Sequence, residues 1–506
     1  RVGGARVHAP ALPSDPSAWL NTERPLSLED LRGQVVVLDF WTYCCINCHH
    51  VLPALAEVEQ RFADDSVVVM GVHSAKFPAE KERENVERAI ARHGLRHPVV
   101  LDPEHALWSQ YAVKSWPSVL VLDTQGRVAW HRAGEVTADQ ISEVVTRLLK
   151  EGRAEDQVAP RLETLREPAK GSARLHFPGK VCVWPPYIQQ AQEADAFGPD
   201  ARLYISDTGN HRVIEAIWRL GPEGWPEAEI LRTWGGEAGF ADGEASEARF
   251  RGPQGLFRRR DTLYVADTDN QRVRAIDLDT GAVKTVIGSG ELGRGGTINP
   301  AEPLTLDLRS PWDITGADDV LFIAMAGAHQ VWLHMDQPVR SGPFIGSGAE
   351  AHVDGDPAQA ALAQPSGIQV HGQYLFWVDS ETSSLRMLDM SKRQVGTVFG
   401  KELFDFGDVD GEPAEVLMQH PLGITVAEAT VYIADTYNNK VKAVDMARGA
   451  EVSTVAGGDG TLCEPSDLDV SGPYLVVADS GNHRLRVIER TSGQVRTVLL
   501  KGSPAT

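Results

Sequence analysis

Val35-Val-Val-Leu-Asp-Phe-Trp-Thr-Tyr-Cys-Cys-Ile-Asn-Cys-His49 is an apolar run that stops at three cysteines packed into five positions. Val35 to Phe40 is β-branched and apolar apart from Asp39, which suits a central strand buried on both faces of a mostly parallel sheet. After the cysteines the period changes. Val51, Leu52, Leu55, Val58, Glu59 and Phe62 recur at three- and four-residue steps, so the cysteines fall at a strand-to-helix turn. Cys45 and Cys48 then stand three residues apart on one helical face, within bonding reach of each other. The partial positive charge of the helix N-terminus favours an ionised sulfur at Cys45, the more exposed first position. A zinc site is the competing reading. It needs four ligands, so His49 or His50 would have to combine with a distant group, and Cys182 and Cys463 stand alone in later segments.

The surroundings of the pair resemble thioredoxin. Asp39 lies six residues before Cys45, where thioredoxins carry a buried acid, and Pro53 lies eight after it, where they carry the proline that kinks the active-site helix. Ser115-Trp116-Pro117-Ser118 precedes the apolar strand Val119-Leu-Val-Leu-Asp123, matching the proline that such folds hold in cis facing the disulfide. Two features depart from thioredoxin itself. Ile46-Asn47 replaces its Gly-Pro, and Cys44 takes the place of its tryptophan. The intervening dipeptide tunes thiolate stability, so no redox potential carries over. Cys44 has two readings: an accessory thiol that resolves an oxidised Cys45, or a small buried hydrophobe ending the strand.

The chain has 506 residues, of which 42% are hydrophobic, enough for more than one domain. Its net charge of −21, from 70 acidic against 49 basic residues, argues against nucleic acid and anionic membrane surfaces as partners. No run approaches the ~18 apolar residues of a membrane span. Five cysteines, three of them in one motif, are no secreted disulfide framework. The expected compartment is the cytoplasm, with an N-terminus that reads as trimmed because it lacks an initiator Met.

Residues 1–152 alternate strand and helix patterns. Val67 to His73 reads as a second buried strand, and Pro78 to His93 as a charged helix whose polar face holds Glu80, Lys81, Glu84 and Arg88. Pro98 to Asp102 reads as a third strand, followed by a hairpin through Thr124-Gln-Gly126 and a closing helix from about Ala138 to Lys150. This is an α/β thioredoxin-like plan. Residues 153–173 are charged and Pro/Gly-punctuated, as an interdomain linker would be.

Residues 174–502 repeat. Tyr204-Ile-Ser-Asp-Thr-Gly-Asn-His-Arg-Val213 has counterparts at Tyr264, Phe322, Phe376, Tyr432 and Leu475, each preceded by a Pro-x-x-apolar stretch such as Pro178-Gly-Lys-Val or Pro253-Gln-Gly-Leu. A period of roughly 40 to 60 residues built of short strands and Gly, Asn and Asp turns signals an all-β propeller, here with six blades. The Asp-Thr-x-Asn-x-Arg turns resemble NHL repeats. Because the same Asp, Asn and Arg return in several blades, turn capping and inter-blade bonding explain them better than catalysis. Blades three and four depart, with Met325-Ala-Gly-Ala-His-Gln330 and Asp379-Ser-Glu-Thr-Ser-Ser384. Asp242-Gly243, Asp354-Gly355, Asp410-Gly411 and Asp459-Gly460 lack the dense oxygen ligands of a calcium loop and read as hairpin turns.

A thioredoxin-like domain followed by an NHL propeller resembles one family, NHL repeat-containing protein 2. The match is specific at Trp41-Thr-Tyr-Cys-Cys-Ile-Asn-Cys48, Gly71-Val-His-Ser-Ala-Lys-Phe77, Ile323-Ala-Met-Ala-Gly-Ala-His-Gln330 and Phe406-Gly-Asp-Val-Asp-Gly411. The pattern is that of a bacterial-type member without the C-terminal β domain of animal members. The resemblance implies a thiol-disulfide oxidoreductase without a cofactor or metal. Cys45 would be the nucleophile, Cys48 the resolving thiol and Asp39 the proton relay; Pro117 would shape the groove, with Cys44 and Trp116 accessory. It also implies a propeller that binds a protein partner or its own thioredoxin-like domain, with Met325, His329 and Gln330 as candidates on its functional face, in a monomer. The competing class is a non-catalytic interaction scaffold or redox sensor.

Overall fold

The computed structural model describes residues 6–168, 174–190, 193–294 and 302–502. It divides into two compact units, residues 1–171 and 172–506. Among the described residues no helix is long and apolar enough to cross a membrane.

In the first unit, Val35–Trp41 forms the middle strand of a seven-stranded sheet. It runs parallel to Val67–His73 on one side and antiparallel to Ser118–Leu122 on the other. Every residue of it is buried, which is why an unbroken β-branched run suits it. Val99–Leu101 and Trp19–Leu20 extend the sheet beyond Val67–His73, and Arg127–Ala133 and Val7–His8 extend it beyond Ser118–Leu122. Helices Ile46–Arg61 and Ala138–Ala154 pack against each other and supply apolar stripes to the sheet.

One local expectation needs correction. Pro78 to His93 is no single helix: a turn of 3-10 helix at Pro78–Lys81 ends at Glu82, whose extended backbone starts the helix Arg83–His93. The described part of the stretch read as an interdomain linker, residues 153–168, follows the first unit. The last helix runs to Ala154, and the following segment is strapped along the same unit. Ala159 N–H donates to Gly33 O at 3.1 Å, Gln34 Nε2 to Pro160 O at 2.7 Å and Arg166 N–H to Arg96 O at 2.8 Å. Residues 169–173 of that stretch lie outside the described residues.

The second unit is a six-bladed β-propeller of antiparallel sheets. Its inner strands are Val181–Trp184, Pro253–Arg259, Pro311–Ala317, Pro365–His371, Gly423–Ala427 and Pro465–Ser471. Blade one gains a fifth strand, Leu500–Lys501, parallel to its outer strand.

The repeated turn holds neighbouring blades together. In every blade the residue four after the Asp position adopts a left-handed backbone: His211, Gln271, His329, Ser383, Asn439 and His483. Its side chain accepts the N–H just before the next blade's Pro-x-x stretch. The six donors are Gly252, Ser310, Gln364, His420, Glu464 and Phe177, at 2.6 to 3.1 Å. The last of these joins blade six to blade one and closes the ring. The Asp-Gly pairs are not two-residue hairpins. Gly243, Gly355 and Gly411 bridge to outer-strand residues Val283, Val395 and Val452 of the following blade. Asp242, Asp354 and Asp410 pair with Arg274, Arg386 and Lys442.

Candidate functional site

The register of the sheet brings three loops to one end. Phe40 lies opposite Ser118 and Trp41 opposite His73, so the chain after Trp41, the chain after His73 and the Trp116-Pro117 loop emerge together.

Cys45 is the N-cap of helix Ile46–Arg61, with extended backbone, and its Sγ accepts the N–H of Cys48 at 3.4 Å. A sulfur thus occupies the place where a Ser or Asp oxygen usually satisfies a first-turn N–H. Cys45 is half-buried and Cys48 fully buried; neither is in a disulfide. The two thiols differ in electrostatics as well. Burial pushes the Cys48 thiol up, reinforced by its hydrogen bond to Cys45 and the negative charges of Cys45 and Asp39.

Asp39 is completely buried, and neither carboxylate oxygen has a hydrogen-bond partner. Desolvation raises it from 3.8 to about 8. A carboxyl that holds its proton through neutral pH beside a buried thiol can give or take one there.

Trp116-Pro117 is a cis peptide. Trp116 Nε1 donates to Ser74 O at 2.9 Å, and the indole packs on Trp108 with ring centres 4.4 Å apart. Pro117 O accepts the Gly134 N–H at 2.8 Å.

Cys44 is buried, and its N–H donates to Glu80 Oε1 at 2.7 Å. Glu80 was expected on a polar helix face; it is 1% exposed. Its other oxygen accepts the N–H groups of Lys76 and Phe77 at 2.8 and 2.9 Å. One buried carboxylate therefore ties the thiol loop to the chain after His73. His73 Nε2 accepts the Tyr43 N–H at 3.3 Å, and burial lowers His73 to about 3, which keeps the ring a neutral acceptor. Both residues escaped the sequence reading. The available signal was the run Ser74 to Phe77, which continues neither the strand before it nor the helical pattern after it.

Met325, His329 and Gln330 are buried within the propeller and have structural partners there. Met325 replaces the Asp of the other blades: its Sδ accepts the Arg309 N–H, as Asp267 Oδ1 accepts that of Arg251 in blade two. Seven residues on, blades two, four, five and six carry a cation facing that Asp: Arg274, Arg386, Lys442 and Arg486. Blade three carries Trp332, which donates from Nε1 to Gln330 Oε1 at 3.0 Å. An apolar pair has replaced an ion pair, a neutral exchange on desolvation grounds. His329 is blade three's inter-blade acceptor. Blade four keeps Asp379 and Arg386 but substitutes Thr382 and Ser384, whose hydroxyls bond each other at 2.8 Å.

A thioredoxin-like family profile matches residues 33–128. NHL repeat-containing protein 2 of Gallus gallus is 38% identical over 93% of this chain and 68% of its own length. Protein SUPPRESSOR OF QUENCHING 1, chloroplastic, of Arabidopsis thaliana is 36% identical over 98% of this chain and 48% of its own. Thiol-disulfide oxidoreductase YkuV of Bacillus subtilis is 26% identical over 26% of this chain and 89% of its own. With both architectural halves present and aligned across nearly its whole length, the chain belongs to the NHL repeat-containing protein 2 family.

Proposed function

We propose that this protein is a thiol-disulfide oxidoreductase that works through Cys45 and Cys48, with the propeller as the platform for a protein partner. The observation that carries the reading is the opposed setting of the two thiols: Cys45 half-exposed at a helix N-cap, Cys48 fully buried beside an unpartnered carboxyl. In the reductive direction the Cys45 thiolate attacks one sulfur of a partner disulfide. That S–S bond breaks, and the departing sulfur takes a proton from solvent. Cys48 then passes its proton to the ionised form of Asp39 and attacks the Cys45 sulfur; the mixed disulfide breaks, and the second partner sulfur leaves and takes a proton from solvent. The substrate gains two electrons, and the protein is left with a Cys45–Cys48 disulfide for an external dithiol to reduce. Pro117 forms the wall of the groove that receives the partner chain, and Trp116 fixes that loop to the chain after His73. The similarity to YkuV over the first unit supports this reading. The proposed compartment is the cytoplasm, whose thiol pool would supply the reductant.

The test is reduction of a small disulfide substrate by the pre-reduced protein. Cys45→Ser abolishes turnover under this reading; turnover at the wild-type rate would overturn it.

A further inference from the structure

At or just before the start of the six inner strands, the third positions of the Pro-x-x stretches come together at the centre of the propeller: Lys180, Gly255, Asp313, Gly367, Gly423 and Asp467. The strands crowd here. A Cβ on Gly255 or Gly423 would meet the Cα of Asp313 or Asp467 at 2.5 Å, so those blades leave only backbone at the axis. Into this ring Lys180 of blade one extends its side chain, and it is 1% exposed.

Its ammonium is surrounded by oxygens from four other blades. Lys180 Nζ donates to Asp313 Oδ2 at 3.2 Å, Ser366 O at 3.1 Å and Leu422 O at 2.7 Å, and lies 3.4 Å from Asp467 Oδ1. The carboxylates are themselves held by backbone. Asp313 Oδ2 also accepts the Ile368 N–H at 3.1 Å and Oδ1 that of Ile314 at 2.9 Å, while Asp467 Oδ2 accepts the Val181 N–H at 3.0 Å. Two residues further along the strand lies Asp469. It accepts the Val183 N–H at 2.7 Å and the Thr425 hydroxyl at 3.1 Å. Burial raises the Asp313 carboxyl, and burial together with the negative charge of Asp313 pushes that of Asp467 to about 8, against the pull of Lys180.

Two carboxylates and two carbonyls converging on one point form the all-oxygen donor set of a hard cation. Burying such a set without a positive charge at its centre is costly, and an ammonium with three donors meets the same requirement as a metal ion. We propose that the propeller axis is a cation site that the chain fills with its own Lys180 ammonium. The blades are thereby drawn together with no dissociable ion, and the axis is closed to a small-molecule ligand at this level.

The inference is independent of the thiol chemistry, and its test is a gain of metal binding. Lys180→Gly installs the residue that blades two, four and five already carry at this position. The probe is calcium chloride alone, added after chelator treatment, with the thermal midpoint and the heat of titration as readouts. The wild-type midpoint should not respond to calcium. Lys180→Gly should melt lower without the ion, regain stability saturably with it, and bind one equivalent. The added substitution Asp467→Asn should abolish that response. A folded Lys180→Gly protein indifferent to calcium overturns the proposal, as does a response that survives Asp467→Asn. If Lys180→Gly is unfolded without calcium, folding on its addition supports the proposal. If it stays unfolded with calcium, Lys180→Ala is measured the same way, and failure of calcium to rescue both variants overturns it.

Discussion

The backbone N–H of Cys44 donates to Glu80 Oε1 at 2.7 Å across 36 positions of sequence, so the residue before the half-exposed thiol is anchored by a buried carboxylate. Glu80 accepts two further backbone N–H groups from Lys76 and Phe77, and Glu80→Ala removes three backbone-to-carboxylate hydrogen bonds at once. At about 1 kcal/mol for each lost hydrogen bond, the loss of stability should be roughly 3 kcal/mol by chemical denaturation. A second readout separates positioning from bulk stability. In a Cys48→Ser background, alkylation of Cys45 under folded conditions should change about tenfold, the kinetic equivalent of ~1.4 kcal/mol. Glu80→Gln, which keeps one acceptor oxygen, should fall between. An unchanged alkylation rate in Glu80→Ala would reduce Glu80 to a purely structural role.

Asp39 makes stability depend on pH with a definite sign. Its carboxyl titrates near 8 in the folded protein and near 3.8 when unfolded, so between those values the folded state holds a proton that the unfolded state has released. Stability must therefore fall as pH rises from about 4 to about 8. The gap corresponds to an upper figure of about 6 kcal/mol. Asp39→Asn removes this slope, and its melting temperature should exceed that of wild type by most at pH 8. In the reaction, the release of substrate from the mixed disulfide should accelerate with pH as Asp39 ionises near 8. Asp39→Asn should lose that inflection in stopped-flow measurements.

Blade three offers a test of the apolar exchange. Met325→Asp restores the common residue, but opposite Trp332 rather than a cation. The carboxylate is buried and uncompensated, at a cost of about 3 to 5 kcal/mol in urea denaturation. Adding Trp332→Arg should recover a large part of that loss, because Arg274 faces Asp267 at 2.7 Å in blade two. Strict additivity of the two substitutions would contradict the paired reading.

The outline of both units was legible because each rests on periodicity. The apolar run into Cys45 had the pattern of a buried strand, and the repeated Asp-Thr-x-Asn-x-Arg turns marked the blades. Asp39 and Pro117 were singled out only through the resemblance to thioredoxin, which carries an acid and a proline at the matching positions. Glu80 was not, because the helical pattern from Pro78 to His93 carried through Glu82, where the backbone in fact turns extended. A charged residue in such a pattern reads as solvated unless its acceptors' partners are known. The path of the segment after Ala154 was hidden for the same reason: it is polar in composition, and its backbone bonds to Gly33 and Arg96 leave no trace in periodicity. Lys180 stood inside a quoted motif. Its meaning depends on six strands meeting at one axis, which no single repeat reveals.

The most direct test of the account is capture of a mixed disulfide. Cys48→Ser leaves Cys45 able to attack a partner and unable to release it. Expressed in cells and isolated under alkylating conditions, this variant should carry defined proteins bound through Cys45, released by dithiothreitol and absent from the Cys45→Ser/Cys48→Ser double variant. Capture that is equal in the single and double variants, or absent from both, would contradict a thiol-exchange role for this pair.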